Sequence, residues 1–258
     1  MAYQYCSVAT EGRILIVTIN RPEVMNSLHA PAHDEFVEVF DKFEADPELW
    51  VAIITGAGEK AFSAGNDLKY TAAGNPMSTQ PTGFGGLTKR FEMTKPVIAA
   101  VNGIAMGGGF EMALACDLII AAENAVFALP EPRVGLMAAA GGVHRLPRMI
   151  PQKQAMGMIL TGRRVSAEEG ARLGFVNEVV PVGEALAAAK RWAEQIVECS
   201  PLSIRASKQV VYAALDAPDL KTAMTTIYPA QATLRASEDY KEGPRAFAEK
   251  RKPNWKGR

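Results

Sequence analysis

Cysteine is scarce in this 258-residue chain, and neither sign of charge is in excess. The three cysteines (Cys6, Cys116 and Cys199) are odd in number and scattered, which favours a reducing compartment over a disulfide framework. No C-x-x-C pair points to zinc, so we expect no metal. The counts of Lys+Arg and Asp+Glu are both 28, so no general attraction to nucleic acid or to an anionic membrane is expected.

Long hydrophobic runs are also missing. Gly, Asp or Glu breaks every apolar stretch well short of the length that spans a bilayer. The first five residues show no basic region followed by an apolar run, so no signal peptide is predicted. These absences predict a soluble cytoplasmic protein without a membrane partner.

Short apolar segments are present in the pattern of an α/β protein. Strands are predicted at 14–19, 50–55, 97–101 and 117–122, and helices at 31–45, 167–173, 184–199, 204–215, 220–236 and 242–250. Because the strands are apolar on both faces, we expect a sheet that is covered on both sides. The only strand predicted after residue 140 is 175–180. We therefore predict a core over 1–200 and a helical region over 201–258.

Two glycine-bearing turns, at 62–68 and 107–111, can direct backbone N–H groups into a cleft. Gly107, Gly108 and Gly109 stand at a predicted helix start, where successive N–H groups and the helix dipole favour negative charge. Glu111 falls in the first turn of that helix, and burial there would raise its pKa. A second carboxylate, Glu131, follows an apolar segment. Two donors and two carboxylates suit enolate stabilisation and proton transfer.

Several other patterns predict different sites, and each is weak. The G-x-G-x-x-A run at 56–61 resembles a dinucleotide fingerprint, but Asn66 and Asp67 interrupt the helix that should follow. Neither a P-loop nor a G-x-S-x-G elbow occurs. His29 and His33 are spaced for one helix face, yet no acidic partner accompanies them, so we interpret them as polar surface residues. His144 is interpreted as structural or exposed.

Taken in order, the motifs resemble those of the crotonase superfamily, also called the enoyl-CoA hydratase/isomerase family. They lie at 19–22, 26–28, 62–68, 95–103, 107–111, 130–131, 141–142, 145–146, 161–163 and 174–177. Residues 53–60, 237–239, 246–251 and 255–258 are most similar to the carnitinyl-CoA dehydratase branch of the family.

The resemblance implies a crotonase-like spiral of ββα units whose helical C-terminal region packs between subunits. It implies homotrimers, often paired into hexamers. It also implies an acyl-CoA thioester as substrate and no separate cofactor, since CoA is part of the substrate.

The resemblance also implies the roles of individual residues. The thioester oxygen would lie in an oxyanion hole made by the N–H groups of Ala64 and Gly108, with Glu111 and Glu131 as acid–base groups. Further substrate-binding residues are Glu23, Val24, Met25, Asn66, Asp67, Leu68, Gly107, Phe247 and Lys250. Two residues depart from the family pattern. Glu23 stands where hydratases often have a basic residue, and Ala138 where they often have proline.

The predicted activity is syn addition of water to a 2-enoyl-CoA, with Glu131 as the main proton-transfer group. A Δ3,Δ2-enoyl-CoA isomerase is the first alternative, and a crotonase-like protein that only binds acyl-CoA or RNA is the second. Segments 71–86 and 136–140 are expected to line the acyl pocket. Tyr70 and Phe84 are candidates for contact with a trimethylammonium group.

Overall fold

The computed structural model describes residues 3–258, which form two sheets and eleven α-helices. The larger sheet contains β1 (Cys6–Glu11), β2 (Ile14–Ile19), β3 (Val51–Gly56), β5 (Val97–Val101), β7 (Leu118–Ala122) and β10 (Glu178–Val180), in that spatial order. β1 pairs antiparallel with β2, and every other pairing in this sheet is parallel.

Both faces of the large sheet are covered. Helix α1 (Ala30–Ala45) shares one apolar cluster with Leu15 and Val17, and helix α7 (Ala185–Val197) shares another with Ile14 and Ile16. Since successive residues of a strand point to opposite faces, burial on both sides accounts for a strand β2 that is apolar except at Thr18. This arrangement confirms the predicted α/β class.

The smaller sheet carries the loops of the candidate site. It contains β4 (Ala61–Ser63), β6 (Ile104–Met106), β8 (Val126–Ala128) and β9 (Val165–Ser166) in that order. β4, β6 and β8 run parallel, and β9 is antiparallel to β8. The loops that follow the three parallel strands therefore leave from the same edge.

Short helices connect the two sheets. They are α2 (Leu68–Ala72), α3 (Gly108–Ala115), α4 (Gly142–Met149), α5 (Gln152–Thr161) and α6 (Ala167–Leu173). Single 3₁₀ turns lie at Pro22–Val24, Phe84–Gly86 and Glu131–Val134.

The C-terminal region consists of α8 (Pro201–Leu215), α9 (Leu220–Thr225), α10 (Pro229–Ala236) and α11 (Glu238–Ala248). The single helix predicted at 220–236 is wrong, because α9 ends before residues 226–228 and Pro229 starts a new helix. The segment 71–86 begins inside α2 and ends in a 3₁₀ turn. The division at residue 200 stays a prediction.

Candidate active site

Three loops form the site, and each follows one parallel strand of the smaller sheet. The first follows Ser63 at the end of β4, the second follows Met106 at the end of β6, and the third follows Ala128 at the end of β8. The Gly107 N–H donates to the Ala128 carbonyl over 3.0 Å and so joins the second loop to the third. Parallel pairing therefore brings together residues far apart in the sequence.

Glycine permits the close approach of these loops. A Cβ built on Gly65, where φ is +88°, would lie 2.7 Å from the Met106 carbonyl oxygen and 2.8 Å from the Gly108 nitrogen. A Cβ built on Gly107 would lie 3.1 Å from Glu131 Oε1. The backbone of the first loop thus lies directly beside the Gly108 N–H, and Glu131 lies directly beside the second loop.

Glu111 lies in the first turn of α3 and is 3 % exposed. Its Oε1 accepts a hydrogen bond from the Gly142 N–H over 2.8 Å. Burial raises the pKa of Glu111 to about 7, opposed by the hydrogen bond from Gly142 and assisted by the nearby Glu131 carboxylate. This confirms the predicted burial and pKa direction. The carboxyl can exchange a proton near neutral pH.

Glu131 opens the 3₁₀ turn Glu131–Val134 and approaches from the third loop. Burial raises the pKa of Glu131 as well. Its Oε2 is buried and accepts no hydrogen bond from the described residues. Glu131 therefore has an oxygen free for a proton, whereas one oxygen of Glu111 is held by the backbone.

The expected donor pair is only partly supported. Gly108 is the first residue of α3, so its N–H has no acceptor within the helix. The Ala64 N–H, however, donates to the Met25 carbonyl over 2.9 Å. This backbone bond leaves the Ala64 N–H unavailable to a thioester oxygen in this structure.

Asn66 offers the alternative donor. The Leu28 N–H donates to the Gly65 carbonyl, and the Asp67 N–H donates to the Leu28 carbonyl, both over 2.8 Å. Because alternate residues of an extended strand bond on opposite sides, the Asn66 N–H points away from Leu28. No acceptor among the described residues takes it. Asn66 was predicted only as a substrate-binding residue.

Met25 lines a cavity that lies beside the first loop. This cavity, of about 230 Å³, is lined by Pro22, Met25, Asn26, Ala57, Gly58, Glu59, Lys60 and Ala61. The side chain of Asn26 closes its base by donating to the carbonyls of Ala57 and Ala61. Glu23 and Val24 belong to the neighbouring 3₁₀ turn, where Glu23 is exposed.

Phe84 covers the Gly108 end of the site. A Cβ on Gly108 would lie 2.5 Å from its ring, and the ring packs edge-on against His33 with centroids 4.5 Å apart. Tyr70 packs instead against His29, at 5.0 Å. Of the two predicted aromatic candidates, the structure therefore places Phe84 over the Gly108 end of the site.

The remaining predicted residues divide between structural roles and the outer surface. The Asp67 carboxylate caps α2 through the Tyr70 N–H and pairs with Arg21. Leu68 is exposed, and Phe247 is 87 % exposed on α11. Lys250 is exposed beyond the end of α11. A contact of Phe247 or Lys250 with substrate stays a prediction.

The interpretation of two histidines as surface residues is wrong. His29 is 8 % exposed and His33 is 2 % exposed, and His33 Nδ1 accepts from the Gly85 N–H over 2.8 Å. Burial lowers the pKa of His33 to about 4, so this ring is neutral at pH 7. His144 is exposed, as expected. Periodicity alone could not show that the segment at 84–86 covers this face of α1.

The described part of the chain contains neither a metal-binding cluster nor a membrane-spanning helix. Within residues 3–258, no group of three or more His, Cys, Asp or Glu could hold a metal ion. In the same part of the chain, no helix is both long and apolar enough to cross a membrane. The absence of a cofactor and the cytoplasmic location stay predictions.

Comparison with known proteins identifies the family of the chain. Residues 9–258 match the enoyl-CoA hydratase/isomerase family model. A carnitinyl-CoA dehydratase of Salmonella typhi is 48 % identical in an alignment of 255 positions that covers 96 % of this chain and 96 % of that one. The chain therefore belongs to the enoyl-CoA hydratase/isomerase family.

Solved structures extend the likeness to the fold. An enoyl-CoA hydratase from Mycobacterium tuberculosis H37Rv superposes with a TM-score of 0.93 at 40 % identity, covering 98 % of this chain and 99 % of that one. A carnitinyl-CoA hydratase from Mycobacterium avium gives 0.80 at 42 % identity, covering 99 % and 100 %. These matches confirm the crotonase-like fold and the prediction of a hydratase-type enzyme.

Proposed function

We propose that this enzyme adds water reversibly to the double bond of a 2-enoyl-CoA thioester. The observation that carries the proposal is the meeting of two carboxyl groups of raised pKa, Glu111 and Glu131, with the unshared N–H groups of Asn66 and Gly108. Addition of water at the β carbon pushes charge onto the thioester oxygen. Two fixed donors stabilise that charge, and the carboxyl groups move the proton.

The two glutamates have different tasks in this proposal. Glu131, whose Oε2 has no hydrogen-bond partner among residues 3–258, takes a proton from water as the water oxygen bonds to the β carbon. The electrons of the double bond move to the thioester oxygen and form an enolate. Glu131 then returns the proton to the α carbon. Because the same carboxylate acts on the water and on the α carbon, both add to one face of the double bond, which is syn addition. Glu111, held by Gly142, positions and polarises the water.

The cavity beside Met25 is proposed to receive the adenine end of CoA. It lies next to the first loop, so a thioester between Asn66 and Gly108 can continue toward it. Among the described residues that line this cavity, Lys60 is the only cation. Lys60 can therefore supply the contact to phosphate that the exposed carboxylate of Glu23 cannot supply.

A second cavity, of about 270 Å³, is proposed to be the acyl pocket. It is lined by Leu129, Pro132, Leu136, Met137, Ala138, Val143, Ile159 and Leu160, all apolar, and it adjoins the turn that carries Glu131. Of the expected lining at 71–86 and 136–140, only residues 136–138 are among those that border this cavity, and their contact with the acyl group stays a prediction. An unbranched aliphatic acyl group suits such a surface.

The Salmonella relative supports a second acyl group. Its name designates carnitinyl-CoA as its substrate, and nearly half of its residues are identical. For a trimethylammonium group, the ring of Phe84 above Gly108 is the available aromatic contact. Crotonobetainyl-CoA is therefore the second candidate substrate.

Self-association is proposed for the C-terminal region. Large apolar side chains on or beside α8 and α9 are exposed, including Val211, Leu215, Leu220, Met224 and Ile227 at 88 %. Such a surface is typical of an interface between subunits. Ile227→Asp should lower the mass measured by sedimentation, whereas Val8→Asp on β1 should not. An unchanged mass for Ile227→Asp would contradict this interface.

The proposed activity is tested by following the loss of the conjugated enoyl-thioester absorbance with crotonyl-CoA and, separately, with crotonobetainyl-CoA. Loss with either substrate, abolished in Glu131→Gln, is expected, and the ratio of kcat/KM values identifies the acyl group. No loss with either substrate would contradict the proposal. An isomerase would instead generate this absorbance from a β,γ-enoyl-CoA, and a binding protein would change neither substrate.

A further inference from the structure

Arg145 lies between two segments that border the site, residues 84–88 and residues 141–142, and contacts both of them. It lies in α4, four residues after Gly141, which caps the start of that helix. Its Nη2 donates to the Thr88 carbonyl over 2.8 Å, and its Nη1 lies against Gly141. The contact with Thr88 spans 57 residues of sequence.

Each of these two contacts, with Thr88 and with Gly141, is one step away from a residue of the proposed site. Thr88 is buried, and its Oγ1 accepts from the Phe84 N–H over 2.9 Å, so it fixes the ring that covers Gly108. Gly141 precedes Gly142, whose N–H holds Glu111. One guanidinium therefore contacts both the segment that covers Gly108 and the residue that precedes the Glu111-binding Gly142.

The charge of Arg145 is not neutralised nearby. It forms no salt bridge with any residue of the range 3–258. The titratable groups that face it are Glu111, Cys116 and Tyr212, and the pKa values of Cys116 and Tyr212 are raised by burial. Beyond Tyr212, the carboxylate of Asp117 is engaged by Lys208. Because Cys116 and Tyr212 stay neutral at pH 7, Glu111 is the group among these three whose ionised form the guanidinium can favour.

We propose that Arg145 is a positioning residue for the hydration reaction. It holds the turn at 141–142 and the segment 84–88 in register, and it favours the ionised form of Glu111. The inference rests on the role proposed for Glu111.

The test compares Arg145→Met with Arg148→Met. Arg148 lies one turn further along α4, is exposed, and donates to the His144 carbonyl, so it is a matched control. In Arg145→Met, kcat for crotonyl-CoA should fall roughly 10–100-fold with KM changed less than about threefold, since a displaced carboxylate affects the chemical step. Arg148→Met should match the wild type.

A second readout does not depend on turnover. The infrared band of the Glu111 carboxyl, assigned as the band that Glu111→Gln removes, is titrated in each variant. Its midpoint should rise in Arg145→Met because a positive charge that lowers the pKa of Glu111 is lost. Arg145→Lys should restore the midpoint but only part of kcat. Lysine keeps the positive charge but lacks the planar guanidinium that contacts two groups at once.

An unchanged midpoint in Arg145→Met would overturn the proposal, even if the melting temperature and the activity both fell. That pattern would mean that Arg145 serves stability alone. Should Arg145→Met fail to fold, Arg145→Gln is titrated in its place under the same criterion. Absence of hydration by the wild type would refute the proposed function but would leave the infrared result decisive for Arg145.

Discussion

The start of α3 and the turn at Glu131–Val134 each present one glutamate to the same cleft, but they hold it differently. Glu111 is almost fully buried, and the Gly142 N–H fixes one of its oxygens. Glu131 is only partly buried, and its Oε2 accepts no bond from the described protein. We therefore propose that identical side chains take different roles from their surroundings, Glu111 positioning water and Glu131 carrying the proton.

The comparison is tested most severely by Glu131→Gln. An amide keeps the shape of the side chain but cannot take the proton, so kcat should fall about 10³-fold. The measurement is the initial rate of hydration, with the circular dichroism spectrum as a check on folding. A fall of less than about tenfold would contradict Glu131 as the proton carrier.

Glu111→Gln should have a smaller effect on the same assay. The amide can still accept from Gly142 and orient water, so we expect a loss of about 10²-fold. The double variant should lose little beyond Glu131→Gln alone, because the two groups act as a unit. Full activity of Glu111→Gln would refute the two-glutamate mechanism.

Stability against pH should reveal the cost of burying Glu111. Its pKa rises from 4.5 to about 7 on folding, so the folded state holds the proton more tightly than the unfolded chain does. Stability is therefore lost as pH rises from 4.5 to 7, by about 3 kcal/mol at full ionisation. Urea unfolding at pH 5 and pH 8 should show a clearly larger loss in the wild type than in Glu111→Gln, which keeps only the smaller loss due to the raised pKa of Glu131. Equal losses in both proteins would contradict it.

The smallest effect expected concerns the glycine that allows the loops to meet. Gly65 and Gly74 have φ of +88° and +85°, but only Gly65 faces backbone atoms within 3 Å of an added Cβ. Gly74→Ala should cost about 1 kcal/mol from backbone strain alone. Gly65→Ala should cost about 2–3 kcal/mol, since the Met106 carbonyl must also move. Equal costs in urea unfolding would show that the loops are not in contact.

Local chemistry explains which parts of the fold were predictable. The strands at Ile14–Ile19 and Val97–Val101 were located to the residue because apolar runs with clear breakers mark them. The edge strand Cys6–Glu11 was missed because five of its six residues are exposed, which leaves it no apolar pattern. The break between α9 and α10 was also missed, although Pro229 marks it.

A site residue was predictable where its own segment determines its position. It was not predictable where its position depends on contact with a distant segment. The three glycines before Phe110 placed Glu111 in a first helical turn, as found. Whether Ala64 or Asn66 offers a free N–H depends on Met25 and Leu28, roughly 40 residues away in the sequence. Burial of His29 and His33 likewise depends on segments that pack against α1 only in the folded chain.

The most direct test of water addition is the source of the oxygen in the product. Crotonyl-CoA is incubated with the enzyme in ¹⁸O-labelled water, and the product is analysed by mass spectrometry at early times. We expect one labelled oxygen at the β carbon, in proportion to the absorbance lost, and almost none with Glu131→Gln. A product that carries no label at that carbon would contradict hydration and would favour the isomerase.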